Sequence, residues 1–370
     1  MGKGRILVVE DETIVALDVQ SRLARLGYEA VGHAVTGRQA LDMVGALRPD
    51  LVLMDVMLEG SAMDGIDAAS EITHRMKIPV VYLTAYADEA TLERAKRTSP
   101  LGYLTKPFAD HELSLTIELA LFKHRAEAEQ RAGMEALRTA FRQTVRALSS
   151  MAEKRDPYTA GHQQRVARLA CAIGRGLGLT SEAMEGLEVA GILHDIGKIY
   201  VPAEILSKPT RLSHMEMGIV KTHPEVGYEI LREVAFPWPV ARAVMEHHER
   251  MDGSGYPGGL KGADICREAR ILAVADVVEA MSSHRPYRAS LGIEAALAEV
   301  AEGRGRRYDP DAVDVCLELM REGNFQFEEL NGNGALLPDT GERRNGVRGM
   351  VRPANGGEAS APGQIPAGEE

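Results

Sequence analysis

Two structural classes are predicted along this chain: an α/β domain with a doubly wound, five-stranded parallel sheet, followed by an all-α domain. The first rests on short apolar runs that alternate with stretches of helical period up to about residue 106. The second rests on an almost wholly helical pattern from residue 156 to about residue 327. A length of 370 residues agrees with two domains, because about 100 to 200 residues per domain is usual.

Five apolar runs in the first part predict buried strands, because they are short and rich in Val, Ile and Leu. They are ILVV at 6–9, AVGHAV at 30–35, LVLMD at 51–55, VVYLTA at 80–85 and GYLTK at 102–106. Helical stretches between them supply the crossover connections that parallel strands need. This α/β domain is predicted to span residues 1–125.

Residues 110–155 contain no proline and only one glycine, Gly133, so they predict one long helix or two helices in tandem. Residues 126–155 are predicted to form a helical linker, and a heptad-like stripe runs along the second part of this linker. Its members are Met134, Leu137, Phe141, Thr144, Leu148 and Met151. Two readings stay open: a short coiled coil that joins two copies in a homodimer, or a helix that packs on its own domain.

The all-α domain is predicted at 140–325. Asp156 and Pro157 are typical of an N-cap and a first helical residue, and predict a helix with Val166, Leu169 and Ile173 on one face. Interruptions are expected at 201–209 and in the glycine-rich segment 252–259. Residues 331–370 include nine Gly and four Pro with few aliphatic residues, and are predicted to be a disordered tail.

Charge and composition exclude several classes of partner. The chain has 43 Lys and Arg against 54 Asp and Glu, a net charge of -11, which repels duplex nucleic acid. No apolar run approaches the roughly 18 residues of a membrane span. Cys171, Cys266 and Cys316 lack metal or redox spacing, and acidic residues occupy 10–12 where a signal peptide would be apolar. A cytoplasmic location is therefore expected.

Polar residues close the predicted strands, and ligands of open parallel sheets bind beyond the carboxyl ends of the strands. These residues are Glu10, Asp11, Asp55, Thr84 and Lys106. Three clustered carboxylates would repel one another without a divalent cation, and oxygen ligands favour Mg²⁺. Asp55 is then a candidate nucleophile toward phosphorus, with Lys106 compensating the phosphoryl charge and the Thr84 hydroxyl donating to it.

The motifs around these residues resemble the receiver domain of bacterial two-component response regulators, over about residues 4–125. They are VVEDE at 8–12, LVLMD at 51–55, LTA at 83–85 and YLTKPF at 103–108. The resemblance implies that a sensor histidine kinase phosphorylates Asp55, and that Thr84, Tyr103 and Lys106 form the switch. The segment LEGSAMDG at 58–65 departs from the commoner Met-Pro loop, which leaves the subgroup open.

The second domain carries a candidate metal cluster of histidines and aspartates. Its members are His162, His194, Asp195, His223, His247, His248 and Asp276. Seven ligands suit two six-coordinate ions with Asp195 as the bridge, and the absence of cysteine favours iron or manganese over structural zinc. Two such ions about 3.5 to 4 Å apart are a device for phosphoester hydrolysis. Lys198, one turn beyond Asp195, would face the same pocket.

The same region resembles the HD-GYP family of phosphohydrolases, over about residues 140–325. The motifs are HDIGK at 194–198, HP at 223–224, HHERMDGSGYP at 247–257, AD at 275–276 and RPYR at 285–288. The resemblance implies cleavage of cyclic di-GMP to linear pGpG and onward to GMP, with the seven residues above as metal ligands. It also implies that Asp195 and Lys198 serve catalysis, and that Lys198, Tyr256, Arg285 and Arg288 contact the substrate.

Three further positions bear on this resemblance. Tyr158 stands where members with a third metal have glutamate, which favours a two-metal centre. Asp252 is expected to order the glycine loop rather than bind metal. Glu279 replaces a commoner aspartate and is expected to lie outside the ligand set.

The sequence thus predicts a response regulator whose phosphorylation controls a cyclic di-GMP phosphodiesterase. One alternative is a domain that senses cyclic di-GMP or docks proteins without turnover. Another is a phosphodiesterase for a different cyclic dinucleotide, such as cyclic GMP-AMP.

Overall fold

The computed structural model of the chain describes residues 3–58, 63–85, 89–98, 100–155, 161–283 and 291–327. The chain divides into two compact units, Met1–Leu148 and Ser149–Glu370. The predicted tail and the positions Tyr158, Arg285 and Arg288 lie outside the described residues.

The first unit alternates strands with helices, as predicted. Its elements are β1 (Arg5–Val9), α1 (Thr13–Arg25), β2 (Glu29–Ala34), α2 (Gly37–Leu47), β3 (Leu51–Asp55), α3 (Gly65–Glu71), β4 (Val80–Thr84), α4 (Glu89–Arg97), β5 (Gly102–Thr105) and α5 (Asp110–Glu153). A π-helical turn, Ile72–Met76, continues α3. The five strands form one parallel sheet in the order β2-β1-β3-β4-β5. The predicted fold of this domain is confirmed.

Both faces of the sheet are buried, which explains why its strands are continuously apolar. Side chains at alternate positions point to opposite faces. Leu7, Val52 and Met54 pack with α2 and α3 on one side. Ile6 and Leu53, among others, pack with α1 and the first turns of α5 on the other. The carboxyl ends of β1, β3, β4 and β5 therefore meet at one edge, where the predicted acidic residues lie.

The connecting segment is one continuous helix, α5, of 44 residues. The division between the two units falls within this helix and inside the predicted linker 126–155. Of the two readings of residues 110–155, a single long helix is therefore the correct one.

The secondary structure described in the second unit is helical apart from two isolated β-bridges, Asp252–Lys261 and Arg304–Tyr308. After the end of α5, its elements are α6 (His162–Gly176), α7 (Ser181–Leu193), a 3-10 turn (Ile196–Tyr200), α8 (Ala203–Leu206), α9 (His214–Val220), α10 (His223–Leu231), α11 (Val240–Glu246), a second 3-10 turn (Gly262–Asp264), α12 (Arg267–Ser282), α13 (Ile293–Glu302) and α14 (Pro310–Arg321). Local capping signals account for several helix starts: Thr180 accepts from the Ala183 amide, and Asp309 precedes Pro310.

The predicted start of α6 at Pro157 is wrong. The helix begins at His162, because Gly161 immediately before it has a φ of 72°, in the left-handed region that interrupts a right-handed helix. Asp156 and Pro157 themselves lie outside the described residues. The apolar face predicted for α6 is present, since Val166, Leu169 and Ile173 are all buried. Among the helices described, none combines the length and apolarity needed to cross a bilayer.

Candidate metal centres and active site

The acidic pocket of the first unit consists of Glu10, Asp11, Asp55 and Lys106. Ligand oxygens of the three carboxylates lie within 4.8 Å of one another. The Lys106 ammonium bridges two of them, with Nζ 2.5 Å from Glu10 Oε2 and 2.5 Å from Asp55 Oδ2. Asp55 Oδ1 accepts the Met57 amide at 3.0 Å. The structure thus brings together the residues that the strand ends predicted.

Electrostatics in this pocket favour a cation. Burial raises the pKa of Glu10 to about 7, Lys106 opposes that shift, and the charge of Asp55 adds to it. Burial also acts against the charged form of Lys106, but its hydrogen bonds with Asp55 and Glu10 outweigh burial and raise its pKa. A divalent cation would relieve the repulsion that Glu10 and Asp55 still exert on each other.

The predicted switch residues line the neighbouring strands. Thr84 ends β4 and is partly exposed, and Tyr103 in β5 is 37% exposed. The Tyr103 ring lies 5.7 Å from the ring of buried Tyr82. Gly65 opens α3 directly beside the candidate nucleophile, since a β-carbon there would lie 1.8 Å from the Asp55 carbonyl oxygen. Only glycine permits this approach.

The histidine–aspartate cluster of the second unit comprises all seven predicted ligands. His162 opens α6, the pair His194–Asp195 follows α7, His223 opens α10, the pair His247–His248 follows α11, and Asp276 lies within α12. Glycine permits the packing that joins two of these segments: a β-carbon at Gly197 would lie 2.0 Å from the His223 carbonyl oxygen. Five distant segments therefore converge on one point.

Three imidazoles are oriented by the ends of the helices that precede them, α7, α9 and α11. Nδ1 of each donates to the carbonyl oxygen three residues earlier: His194 to Gly191 at 2.8 Å, His223 to Val220 at 2.8 Å and His247 to Val244 at 2.6 Å. These bonds place the proton on Nδ1 and leave the lone pair of Nε2 facing the cluster. This tautomer is the one that binds metal through Nε2.

The cluster divides into two groups around Asp195. Ligand atoms of His162, His194 and Asp276 lie within 4.8 Å of one another, and so do those of His223, His247 and His248. Asp195 Oδ2 lies 3.4 Å from His194 Nε2, and Oδ1 lies 3.3 Å from His223 Nε2. Asp195 therefore faces histidines of both groups, where its two oxygens could each serve one ion.

The protonation states of several cluster residues are those that bind metal cations. Burial lowers the pKa of His223 to about 4 and of His248 to about 3, and lowers that of His247 well below its usual range. Burial acts against ionised Asp195, but Lys198 and His194 outweigh it and hold its pKa well below the ordinary value. Neutral imidazoles and an ionised carboxylate are the forms that bind metal ions.

His162 differs from these three histidines. Burial disfavours its charged form, but Asp276 and Glu279 outweigh burial and raise its pKa to about 9. The surroundings of His162 thus favour a positive charge on its imidazole, and in the chain without metal a proton supplies that charge. His194 Nε2 is buried without a hydrogen-bond partner in the part of the chain that is described. An imidazole nitrogen in that state fits a metal ligand, so the donor set suits a pair of divalent ions.

Two predicted substrate contacts lie beside this cluster. Lys198 Nζ is 2.6 Å from Asp195 Oδ2. The Tyr256 ring stacks on the His248 ring with centroids 4.7 Å apart, and burial raises the pKa of its hydroxyl. Arg285 and Arg288, the other two predicted contacts, are outside the described residues.

The sequence placed Glu279 outside the ligand set without predicting its contact with His162, and it did not single out Glu249 or Lys221. Glu279, 1% exposed, bonds His162 Nδ1 and accepts from Arg165 Nε at 2.7 Å. Glu249, 2% exposed, accepts the backbone amides of residues 258–260 at 2.6 to 3.0 Å and so anchors the glycine loop. Lys221 Nζ lies 5.0 Å from the Tyr256 ring centroid.

Asp252 orders the glycine loop locally. Its Oδ1 accepts the amide of Ser254 at 3.0 Å and the hydroxyl of Ser254 at 2.6 Å. It appears in none of the candidate metal groups found among the described residues.

Comparison with known proteins agrees with both halves of the chain. Residues 6–118 match the family of the response regulator receiver domain, and residues 146–312 match the family of the HD domain. The cyclic di-GMP phosphodiesterase response regulator RpfG of Xanthomonas campestris is 37% identical over 310 residues, which cover 79% of this chain and 80% of that protein. The cyclic di-GMP phosphodiesterase of Thermotoga maritima is 31% identical over 371 residues, or 93% of this chain and 100% of that protein.

A third relative matches about half of the chain. The 3'3'-cGAMP-specific phosphodiesterase 3 of Vibrio cholerae is 38% identical over 186 residues, which cover 50% of this chain and 40% of that protein. The alignments with the first two relatives extend over most of both chains, and the resemblance to both families is confirmed. The chain therefore belongs to the family of cyclic di-GMP phosphodiesterase response regulators, in which a receiver domain is joined to a metal-dependent HD-type hydrolase domain.

Proposed function

We propose that this chain is a two-component response regulator in which phosphorylation of Asp55 controls the hydrolysis of cyclic di-GMP to pGpG and onward to GMP. The observation that carries the proposal is the arrangement of the histidine–aspartate cluster: two groups of ligands face Asp195, and Lys198 lies 2.6 Å from it. The names of the relatives that span both domains supply the substrate.

In the receiver half, Glu10, Asp11 and Asp55 would hold Mg²⁺. A sensor histidine kinase donates the phosphoryl group to Asp55, and Lys106 pairs with the new negative charge. The Thr84 hydroxyl then turns toward the phosphoryl group and Tyr103 changes rotamer. The partial exposure of Tyr103 supports this switch, because its side chain has room to move.

In the hydrolase half, His162, His194 and Asp276 would hold one ion, and His223, His247 and His248 the other. Asp195 would bridge them. Mixed imidazole and carboxylate ligation suits iron or manganese. When bound, the ions supply Lewis-acid chemistry for phosphodiester hydrolysis.

The surrounding residues bind and orient the substrate. Lys198 neutralises a phosphate oxygen while it keeps Asp195 ionised. Tyr256, stacked on His248 beside the cluster, offers an aromatic face to a guanine base. Arg285 and Arg288 supply bidentate contacts to phosphate or stack on guanine.

The exposed stripe of α5 supports a homodimer formed with a second copy of the chain. Five apolar side chains at heptad spacing are 37% to 66% exposed: Met134, Leu137, Phe141, Leu148 and Met151. A parallel coiled coil would bury them. Light scattering over a range of concentrations tests this, and a strictly monomeric chain would refute it.

A second candidate substrate is a cyclic GMP-AMP, because the 3'3'-cGAMP-specific relative is 38% identical to this chain over 186 residues. A third reading is a sensor or docking domain without turnover, which the presence of all seven ligand residues disfavours. Side-by-side turnover of cyclic di-GMP and 3'3'-cGAMP by the manganese-loaded and iron-loaded chain tests all three. We expect pGpG from cyclic di-GMP; preferred cleavage of the other dinucleotide, or binding without product, would refute the proposal.

A further inference from the structure

The C-terminal end of the connecting helix α5 contacts two segments of the histidine–aspartate cluster. Glu153 is the last residue of α5, and Arg155 follows two residues later. Both belong to the second unit, whereas the helix that carries them begins in the first. The contacts of these two side chains link the helix to residues that the proposed function places at the metal centre.

Glu153 lies beside the start of α6. Burial raises the pKa of its carboxyl group, and the nearby backbone N–H groups of Gly161 and Gln163 act against that shift. The N-cap of α6 is Gly161, which has no side chain to satisfy these amides. A carboxylate is well suited to the positive end of a helix dipole. His162 lies between these two residues, so the Glu153 carboxylate stands beside the turn that carries this ligand.

Arg155 holds the segment after Asp195. Its guanidinium Nη1 donates to the carbonyl oxygen of Ile199, in the 3-10 turn Ile196–Tyr200. That turn also contains Lys198, whose ammonium lies 2.6 Å from Asp195 Oδ2. A displacement of Ile199 would therefore move the partner of the bridging carboxylate.

Glu153 and Arg155 flank Lys154. Arg155 is hydrogen-bonded to the turn that follows Asp195, and Glu153 lies beside the turn that carries His162. We propose that Glu153 and Arg155 are positioning residues that transmit the state of the connecting helix to the metal ligands. A shift or rotation of the last turn of α5 changes both contacts together, because the turn carries both side chains. The direction of control, from receiver to hydrolase, rests on the proposed function.

The experiment measures the affinity of the histidine–aspartate cluster for Mn²⁺ in the full chain, with excess Mg²⁺ filling the receiver pocket, with and without beryllofluoride, which mimics the phosphoryl group on the receiver. The variants are Glu153→Ala, Arg155→Ala and the conservative Glu153→Gln. Lys154→Ala is the matched control, because this exposed side chain lies on the same turn. Thermal unfolding and beryllofluoride binding to the receiver show that each variant is folded.

In the unmodified chain, we expect beryllofluoride to change the Mn²⁺ affinity by about fivefold or more. Glu153→Ala and Arg155→Ala should each weaken Mn²⁺ binding, by about tenfold at most, and remove most of the response to beryllofluoride. Lys154→Ala should behave as the unmodified chain. Glu153→Gln should be intermediate, because it keeps an acceptor oxygen beside the start of α6 but loses the negative charge.

Three results would overturn the proposal: an unmodified chain that does not respond to beryllofluoride, alanine variants that keep the full response, or an equal loss in Lys154→Ala. If Glu153→Ala does not fold, Arg155→Ala decides, because its side chain is exposed. Turnover of cyclic di-GMP is measured separately. A chain that shows the expected Mn²⁺ response without turnover would contradict the proposed substrate and support the positioning role.

Discussion

The Glu279→Gln substitution tests whether the Glu279 carboxylate selects the tautomer of the predicted metal ligand His162. The carboxylate of Glu279 bonds His162 Nδ1 through Oε2, while Oε1 accepts from Arg165 Nε and the Ser283 hydroxyl, each at 2.7 Å. Glutamine has nearly the same volume but only one acceptor oxygen. Glutamine therefore cannot accept hydrogen bonds both from His162 and from Arg165 with Ser283, as the carboxylate does.

If the amide oxygen faces Arg165, the NH₂ group faces His162. Nδ1 must then accept a hydrogen bond, and the proton of a neutral imidazole moves to Nε2, which lies 3.3 Å from Asp276 Oδ1. That nitrogen loses the lone pair needed to bind metal. If the amide turns over, its NH₂ group meets the Arg165 guanidinium, and two donors oppose each other.

Loss of such a supporting carboxylate typically weakens metal affinity about 10- to 100-fold, or about 1.4 to 2.7 kcal/mol. We expect that loss in a competition titration of the Glu279→Gln chain with Mn²⁺. Glu268→Gln, three turns earlier in α12, is the matched control and should bind Mn²⁺ as the unmodified chain does. Unchanged affinity in Glu279→Gln would refute the argument that this carboxylate selects the His162 tautomer.

Three further outcomes follow from the same geometry. Asp55→Ala should remove any change in turnover caused by a phosphodonor while basal turnover survives; an equal loss of basal turnover would argue against independent domains. His194→Ala combined with Asp195→Ala should abolish hydrolysis while beryllofluoride still binds the receiver, and continued pGpG production would contradict the assignment of the metal site. In the chelator-treated chain, His162 has a pKa raised from 6.5 to about 9, so its contribution to stability is complete below pH 6.5 and is lost as the pH rises through 9. Urea unfolding should show this decline, and Glu279→Gln should flatten it; a decline of the same size in both chains would contradict this cause.

The strands and the two clusters could be predicted because each follows from short-range pattern. Both faces of the sheet are covered, so every strand is an apolar run, and parallel topology brings the residues after those runs to one edge. Glu10 and Asp55 were found in this way. The seven ligands of the second domain were found from motif and residue type.

Features that depend on tertiary packing were not predicted from the sequence. Glu249 accepts three amides only because the glycine loop folds back over it, and no spacing in the sequence signals that contact. The start of α6 was misplaced because Asp156 and Pro157 are typical of a cap, whereas the backbone turns at Gly161. Glu279 had a usable signal: it lies three residues after Asp276 on a helix, so both side chains share one face.

The central claim is that this acidic chain holds a two-metal phosphodiesterase under receiver control. Its most direct test is metal analysis of anaerobically purified chain together with turnover of cyclic di-GMP by the same preparation. We expect two iron or manganese ions per chain in the second domain and release of linear pGpG, and we expect chelation to abolish the product. A preparation that holds no such ions, or that holds them and binds cyclic di-GMP without releasing pGpG, would contradict the claim.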